Sequence, residues 1–270
     1  SMQRIHEDLL RMVDEDKILV FSDEEILPHE QLMPDLTTLS ERSKVLTELT
    51  FGHSKSSKII LASAASIMRK LPSKKRFIES SITLEPEKEI NLQELQKRLF
   101  ELGYKREEMV ESPGQYSIRG GIIDIFTLLN ENSFRIELFG DEVDSIRMVD
   151  PSAQRSIGRV DSLIIPPFAN IIIGEEEIER AVPAVQKDYS TAVSNLEETG
   201  LKEEAEYLRN KGKEMLENLQ EKQRFPGCEQ FLPYYYNSSS DLFDYLDENI
   251  LFVLRPKKFK QSAENFYNEV

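Results

Sequence analysis

Three strand segments near the middle of the chain constrain its fold more tightly than anything else in it. Tyr116 to Phe126 and Phe134 to Phe139 are rich in β-branched and aromatic residues, and Gly140-Asp141 turns the second back into Val143 to Met148 as the return arm of a hairpin. Leu92 to Leu102 precedes them as a helix, with Leu92, Leu95, Leu99 and Leu102 on one stripe. One helix followed by close-set strands predicts a small α+β domain over residues 77–164, with Ile78 to Leu84 as its first strand.

The flanks read differently. Gln3 to Val13 has apolar residues at helical spacing, Lys17 to Phe21 reads as a short buried strand, Thr38 to Leu49 as a helix, Lys58 to Ser63 as a second strand and Ala64 to Lys70 as a short helix. Strands alternating with helices predict a parallel sheet of the α/β kind over residues 1–76. Pro166-Pro167 marks a boundary. Beyond it, Glu175 to Glu198 and Lys202 to Gln223 read as an antiparallel helical pair broken at Thr199-Gly200, where glycine stops a helix. Leu242 to Leu246 reads as a helix, Ile250 to Leu254 as an apolar strand, and a last helix carries Phe266 and Tyr267. Residues 165–270 then form the second part of the α/β domain, into which the middle domain is inserted.

Composition narrows the function. A 270-residue chain with 39% hydrophobic residues buries real cores, and no stretch reaches the about 18 uninterrupted apolar residues that signal a membrane span. The start, Ser1 to Asp8, is polar and charged, unlike a secretory leader. A single cysteine, Cys228, and three scattered histidines give neither a disulfide framework nor zinc-ligand spacing, so a cytoplasmic location without a cofactor or metal is expected. The net charge of −15 opposes non-specific attraction to phosphate backbones.

Catalytic motifs are missing. Phe51-Gly52-His53-Ser54-Lys55-Ser56 is the nearest approach to a phosphate-cradling loop, but it has one glycine and precedes a strand. Cys228 has no histidine nearby in sequence to activate it. The acidic runs, Glu175 to Glu177, Glu197-Glu198 and Asp141-Glu142 with Asp144, lack calcium-loop spacing and read as solvated faces.

Residue placement becomes informative in the middle strands. In Phe134 to Phe139, period-two alternation puts Ile136 and Leu138 on one face and Arg135, Glu137 and Phe139 on the other. In Tyr116 to Arg119 it sends Ile118 inward and Arg119 outward, directly before Gly120-Gly121. Two outward arginines with an outward phenylalanine make a candidate binding patch, because both residue types are enriched in interface hot spots. The bland alternative is that an arginine pairs with a neighbour such as Glu137 and that Phe139 covers the hairpin turn.

Three blocks carry a family resemblance: Gly114-Gln-Tyr-Ser-Ile-Arg-Gly-Gly-Ile-Ile-Asp-Ile-Phe126, Phe134-Arg-Ile-Glu-Leu-Phe-Gly-Asp-Glu-Val-Asp-Ser-Ile-Arg147, and Asp150-Pro-Ser-Ala-Gln-Arg-Ser156. In this order and spacing they resemble the domain shared by the excinuclease protein UvrB and the bacterial transcription-repair coupling factor. Ile59 to Leu71 and Gly103 to Arg106 resemble the family's flanking stretches. UvrB carries an aromatic-rich hairpin that would fall between about Ile26 and Ser40, and this chain runs through there without a tyrosine-rich insertion. Active helicases of this kind place an Asp-Glu pair where this chain has Leu254-Arg255. Both departures point to the amino-terminal module of the coupling factor.

That resemblance implies an α/β fold: an incomplete, degenerate helicase-like parallel-sheet domain interrupted by a small α+β domain that binds the excinuclease protein UvrA. It implies a non-catalytic module that links stalled RNA polymerase to nucleotide excision repair, with RNA polymerase and DNA engaged through other domains and no membrane partner. The alternative is a fragment of an ATP-dependent helicase or damage-verification protein of the UvrB type. Carried over by motif position, the contacts to UvrA fall on Arg119, Arg135 and Phe139. Arg106 matches a further contact position of UvrB, which has another arginine where this chain has Ser117.

Overall fold

The computed structural model describes residues 2–23, 35–52, 57–168, 171–221, 225, 227–236, 240–246 and 250–269. Ile26 to Pro34, which holds most of the expected hairpin position, and His53 to Ser56 of the glycine-poor loop lie outside the described residues. Among the described residues the chain is mixed α/β with three separate sheets and forms two compact units, the second holding residues 171–236.

The first unit begins with helix α1 (Met2–Leu9), which stops short of the expected Val13, then strand β1 (Ile18–Phe21), helix α2 (Leu36–Phe51) and strand β2 (Ile59–Ala62). Asp35 caps α2: its carboxylate accepts from the backbone N–H groups of Thr37 and Thr38 and from the Thr38 hydroxyl. Those bonds, the Thr38 N–H foremost, hold the Asp35 carboxyl below its ordinary pKa. β1 and β2 pair in parallel, with Ile18 opposite Ile59 and Phe21 opposite Ala62. Leu19, Phe21, Val45, Leu46, Leu71 and Phe77 pack with Leu242 and Tyr245 as one core.

Helices α3 (Ala64–Met68) and α4 (Lys74–Ser80) follow, and α4 corrects the expected strand from Ile78 to Leu84. Only β3 (Ile82–Leu84) is strand. Two side chains impose the helix. The Ser73 hydroxyl accepts from the Arg76 N–H at its start, and the Arg98 guanidinium donates to the carbonyls of Glu79, Ser80 and Ser81 at its end.

Beyond β3 lie α5 (Leu92–Glu101) and a six-stranded sheet: β4 (Lys105–Arg106), β5 (Gln115–Arg119), β6 (Ile122–Ile125), β7 (Ser133–Phe139), β8 (Glu142–Asp150) and β9 (Arg155–Arg159), paired in sequence order. The β4–β5 pair is parallel and every other neighbour antiparallel. The expected strand Tyr116 to Phe126 is a hairpin, because Gly120 takes a φ of 60° that reverses the chain between β5 and β6. One face of the sheet is dry: Tyr116, Ile123, Ile125, Phe134, Ile136, Val143 and Ile146 pack with Leu95, Leu99 and Leu102. The chain leaves through β10 (Leu163–Ile165), which pairs antiparallel with β3, Leu163 opposite Leu84. Entry and exit of this region are therefore bonded to each other.

In the second unit, α6 (Glu175–Glu198) and α7 (Lys202–Gln220) pack together, joined at the expected Thr199-Gly200 break. Ile178, Ala181, Val185, Met215 and Leu219 share a core with Phe225, Cys228, Phe231 and residues of α8 (Leu232–Tyr235). Back in the first unit, Leu242 to Tyr245 is a 3₁₀ turn and α9 (Pro256–Glu269) lays Phe266 under the Arg69 guanidinium, 5.5 Å from the ring centre. The expected strand Ile250 to Leu254 is corrected: it is irregular and exposed. An apolar run becomes a strand only when a neighbour satisfies its backbone groups, and among the described residues the β1–β2 pair is not extended to it.

Gly114 leaves little room for any side chain. Its φ is 85°, and a Cβ there would fall 2.1 Å from Cε2 of Phe168, whose ring also meets Tyr104 edge-on. Gly114→Ala should cost about 2–4 kcal/mol, combining a left-handed backbone with overpacking. Urea denaturation measures it, and a loss under about 1 kcal/mol would mean that Phe168 is not held against this turn.

Candidate functional site

A sheet with one face committed to a core exposes the alternate residues, and strand register decides which of these meet. Ser117 stands opposite Asp124, Asp124 opposite Arg135, Arg135 opposite Arg147 and Arg147 opposite Arg159, so one row crosses five strands from β5 to β9. The next row holds Arg119, Ile122, Glu137 and Ser145. Side chains in such rows lie within reach of each other across about 4.8 Å between strands.

Asp124 is the centre of the face. It is only 6% exposed, and three hydrogen bonds converge on its carboxylate. Arg135 approaches with its Nε (2.7 Å to Oδ1) and Nη2 (3.0 Å to Oδ2), a two-pronged contact; Arg119 adds its Nη2 at 2.8 Å to Oδ2. The hydrogen bond to Asp124 is the main reason that the Arg135 guanidinium lies above its ordinary pKa. The Arg119 side chain remains 55% exposed and that of Arg135 27%. Both keep unspent N–H donors near solvent, since each guanidinium carries five.

The expected alternative, pairing with a neighbour such as Glu137, holds in kind: both arginines pair with a neighbouring acid, which is Asp124 and not Glu137. Glu137 instead accepts from the Ser145 hydroxyl at 2.8 Å and forms an ion pair with Arg147, 3.2 Å from its Nη2. Phe139 is 83% exposed at the end of β7, beyond a bulge at Glu137/Leu138 in which β8 carries the extra residue. The bulge leaves β7 in phase: Leu138 packs on the core and Phe139 points away from it. Arg119, Arg135 and Phe139 thus share the outer face. Arg106 does not join them. It is exposed on β4 at the register position of Tyr116, a core-facing residue, where its charge opposes the upward push of burial on the Tyr116 hydroxyl.

Sequence reasoning missed Asp124, Arg147 and Ser145. The signal for Asp124 was present as a carboxylate on the far side of Gly120-Gly121 from Arg119, five residues away. Ser117 is buried, and among the described residues its hydroxyl has no hydrogen-bond partner. Among the described residues no group of three His, Cys, Asp or Glu side chains could hold a metal, and no helix is long and apolar enough to cross a membrane.

Comparison with known proteins finds matches over the same region of the chain. Residues 82–170 match the family model of the UvrB interaction domain, a stretch that runs from β3 to just past β10. The chain is 33% identical over 252 residues to the transcription-repair-coupling factor of Bacillus subtilis, covering 93% of this chain and 21% of that protein. It is 27% identical over 274 residues to the coupling factor of Rickettsia bellii, covering 98% of this chain and 22% of that protein. The UvrABC system protein B of Streptococcus mutans is 28% identical over 202 residues, covering 73% of this chain and 30% of that protein. The chain spans about a fifth of the length of the coupling factors it matches.

The two arginines should differ in their cost to stability. Arg135→Ala leaves the buried Asp124 carboxylate with one of its two partners and should lose about 1.5–3 kcal/mol. Arg119→Ala removes a single bond from a half-exposed side chain and should lose about 0–1 kcal/mol. Chemical denaturation of both variants tests the order, and equal costs would remove Asp124 from the centre of the face.

Proposed function

We propose that this chain is a non-catalytic docking module that binds the excinuclease protein UvrA through the outer face of β5 to β8. As part of a longer protein it recruits UvrA to stalled RNA polymerase, with polymerase and DNA held by other domains. The observation that carries this reading is the joint display of Arg119, Arg135 and Phe139 on one face of the region that matches the UvrB interaction domain model. A phenylalanine left 83% exposed on the same face as two ordered arginines has the composition of an interface hot spot. The proposal includes the division into residues 1–76, 77–164 and 165–270, with the flanking parts as a degenerate helicase-like domain. A place for Arg106 at the margin of the footprint belongs to it as well.

Two measurements on the same variants test the docking. Phe139→Ala and Arg119→Ala should each weaken binding to purified UvrA by about tenfold or more while moving the thermal midpoint by less than about 4 °C. Unchanged affinity in both would return the face to an ordinary solvated surface.

The non-catalytic part is tested with nucleotide. Leu254-Arg255 supplies no carboxylate to hold magnesium, so titration with magnesium-ATP should give no saturable binding at micromolar concentration. Saturation in that range would favour the helicase reading.

A further inference from the structure

Resting on that docking reading, we propose that Asp124 is the positioning residue of the face: it fixes Arg119 and Arg135 as a pre-ordered pair whose unspent N–H groups receive carboxylate side chains of the partner protein. The geometry supports each part. A surface arginine samples many rotamers, and immobilising it on binding costs affinity. Here the ordering is done before the partner arrives, because one buried carboxylate takes two N–H groups of Arg135 and one of Arg119. Guanidinium groups offer donors and no acceptor, so the remaining N–H groups can be satisfied only by acceptors, and a carboxylate matches two of them at once. Glu137 does not compete for this role, since Ser145 and Arg147 occupy it.

The sign of one substitution separates positioning from simple charge. Asp124→Asn removes a negative charge beside the arginines, so a face acting only through its net charge would bind an acidic partner more tightly. Positioning predicts the reverse: loss of the second charged acceptor frees both arginines and weakens binding by about fivefold or more. The experiment measures affinity for purified UvrA with the full chain, at a temperature well below each variant's unfolding midpoint and with circular dichroism confirming the fold. A second comparison guards against a general loss of stability. Asp124→Asn added to Arg119→Ala and Arg135→Ala together should cause no further loss of binding, because Asp124 acts only through those two side chains.

Weaker binding by Asp124→Asn, with no added effect in the double-alanine background, is the expected result. Equal or tighter binding by Asp124→Asn, while Arg119→Ala still weakens it, overturns the positioning role and leaves the docking face standing. A further loss in the double-alanine background also overturns it. Absence of binding by the unaltered chain instead overturns the docking reading itself, and this inference with it.

Discussion

A six-stranded sheet that has a core on only one side must divide its residues strictly, and that division governs the rest of this structure. Tyr116, Ile123, Ile125, Phe134 and Ile136 are committed to the packing against Leu95, Leu99 and Leu102. Because the side-chain period of a strand is two, a slip of one residue would send all of them to the wet face. The register is therefore held by burial, and every outward residue inherits its position from it. The pairing of β3 with β10 closes the region at its base.

Asp124 is where that register meets electrostatics. Burying a lone carboxylate is costly, and the cost falls only when charged donors surround it. Arg135 lies directly opposite on β7, and Arg119 reaches it diagonally from β5 across the Gly120 turn. The same arrangement leaves each arginine partly in water, so a demand of the fold and a supply of ordered donors are met by the same three residues. Glu137, Ser145 and Arg147 repeat the arrangement one row away.

The sheet and its outward residues are legible in the sequence because alternation is local: Ile118, Ile136 and Leu138 point inward in any strand of that phase. The partner of the arginines is not, since Tyr116 to Phe126 reads as one strand segment and only the turn at Gly120 reveals that Asp124 comes back beside Arg119. Ile78 reads as strand because its alternation with Ile82 and Leu84 resembles one, whereas the capping Ser73 and Arg98 act through the backbone. Ile250 to Leu254 misleads differently. Its composition is that of a buried strand, but a strand also needs a neighbour, and hydropathy carries no information about one. Arg106 shares the arginine chemistry of the patch, but its pairing directly opposite the core-facing Tyr116 separates it from the outer face.

An acidic protein presenting an arginine face is not a contradiction, because charge acts over a limited range. At physiological ionic strength exposed charges more than about 8 Å apart are largely screened. What an approaching partner feels at close range is Arg119, Arg135 and Arg147 against Asp124 and Glu137, with Arg159 beyond, and not the net −15 of the whole chain. The distant acids still matter at longer range and lower salt, where they repel polyanions such as nucleic acid before the arginines can engage them. On the proposed docking reading, a local excess of donors inside a broadly negative surface would favour a folded partner that brings a few carboxylates to one place over one that brings phosphates everywhere.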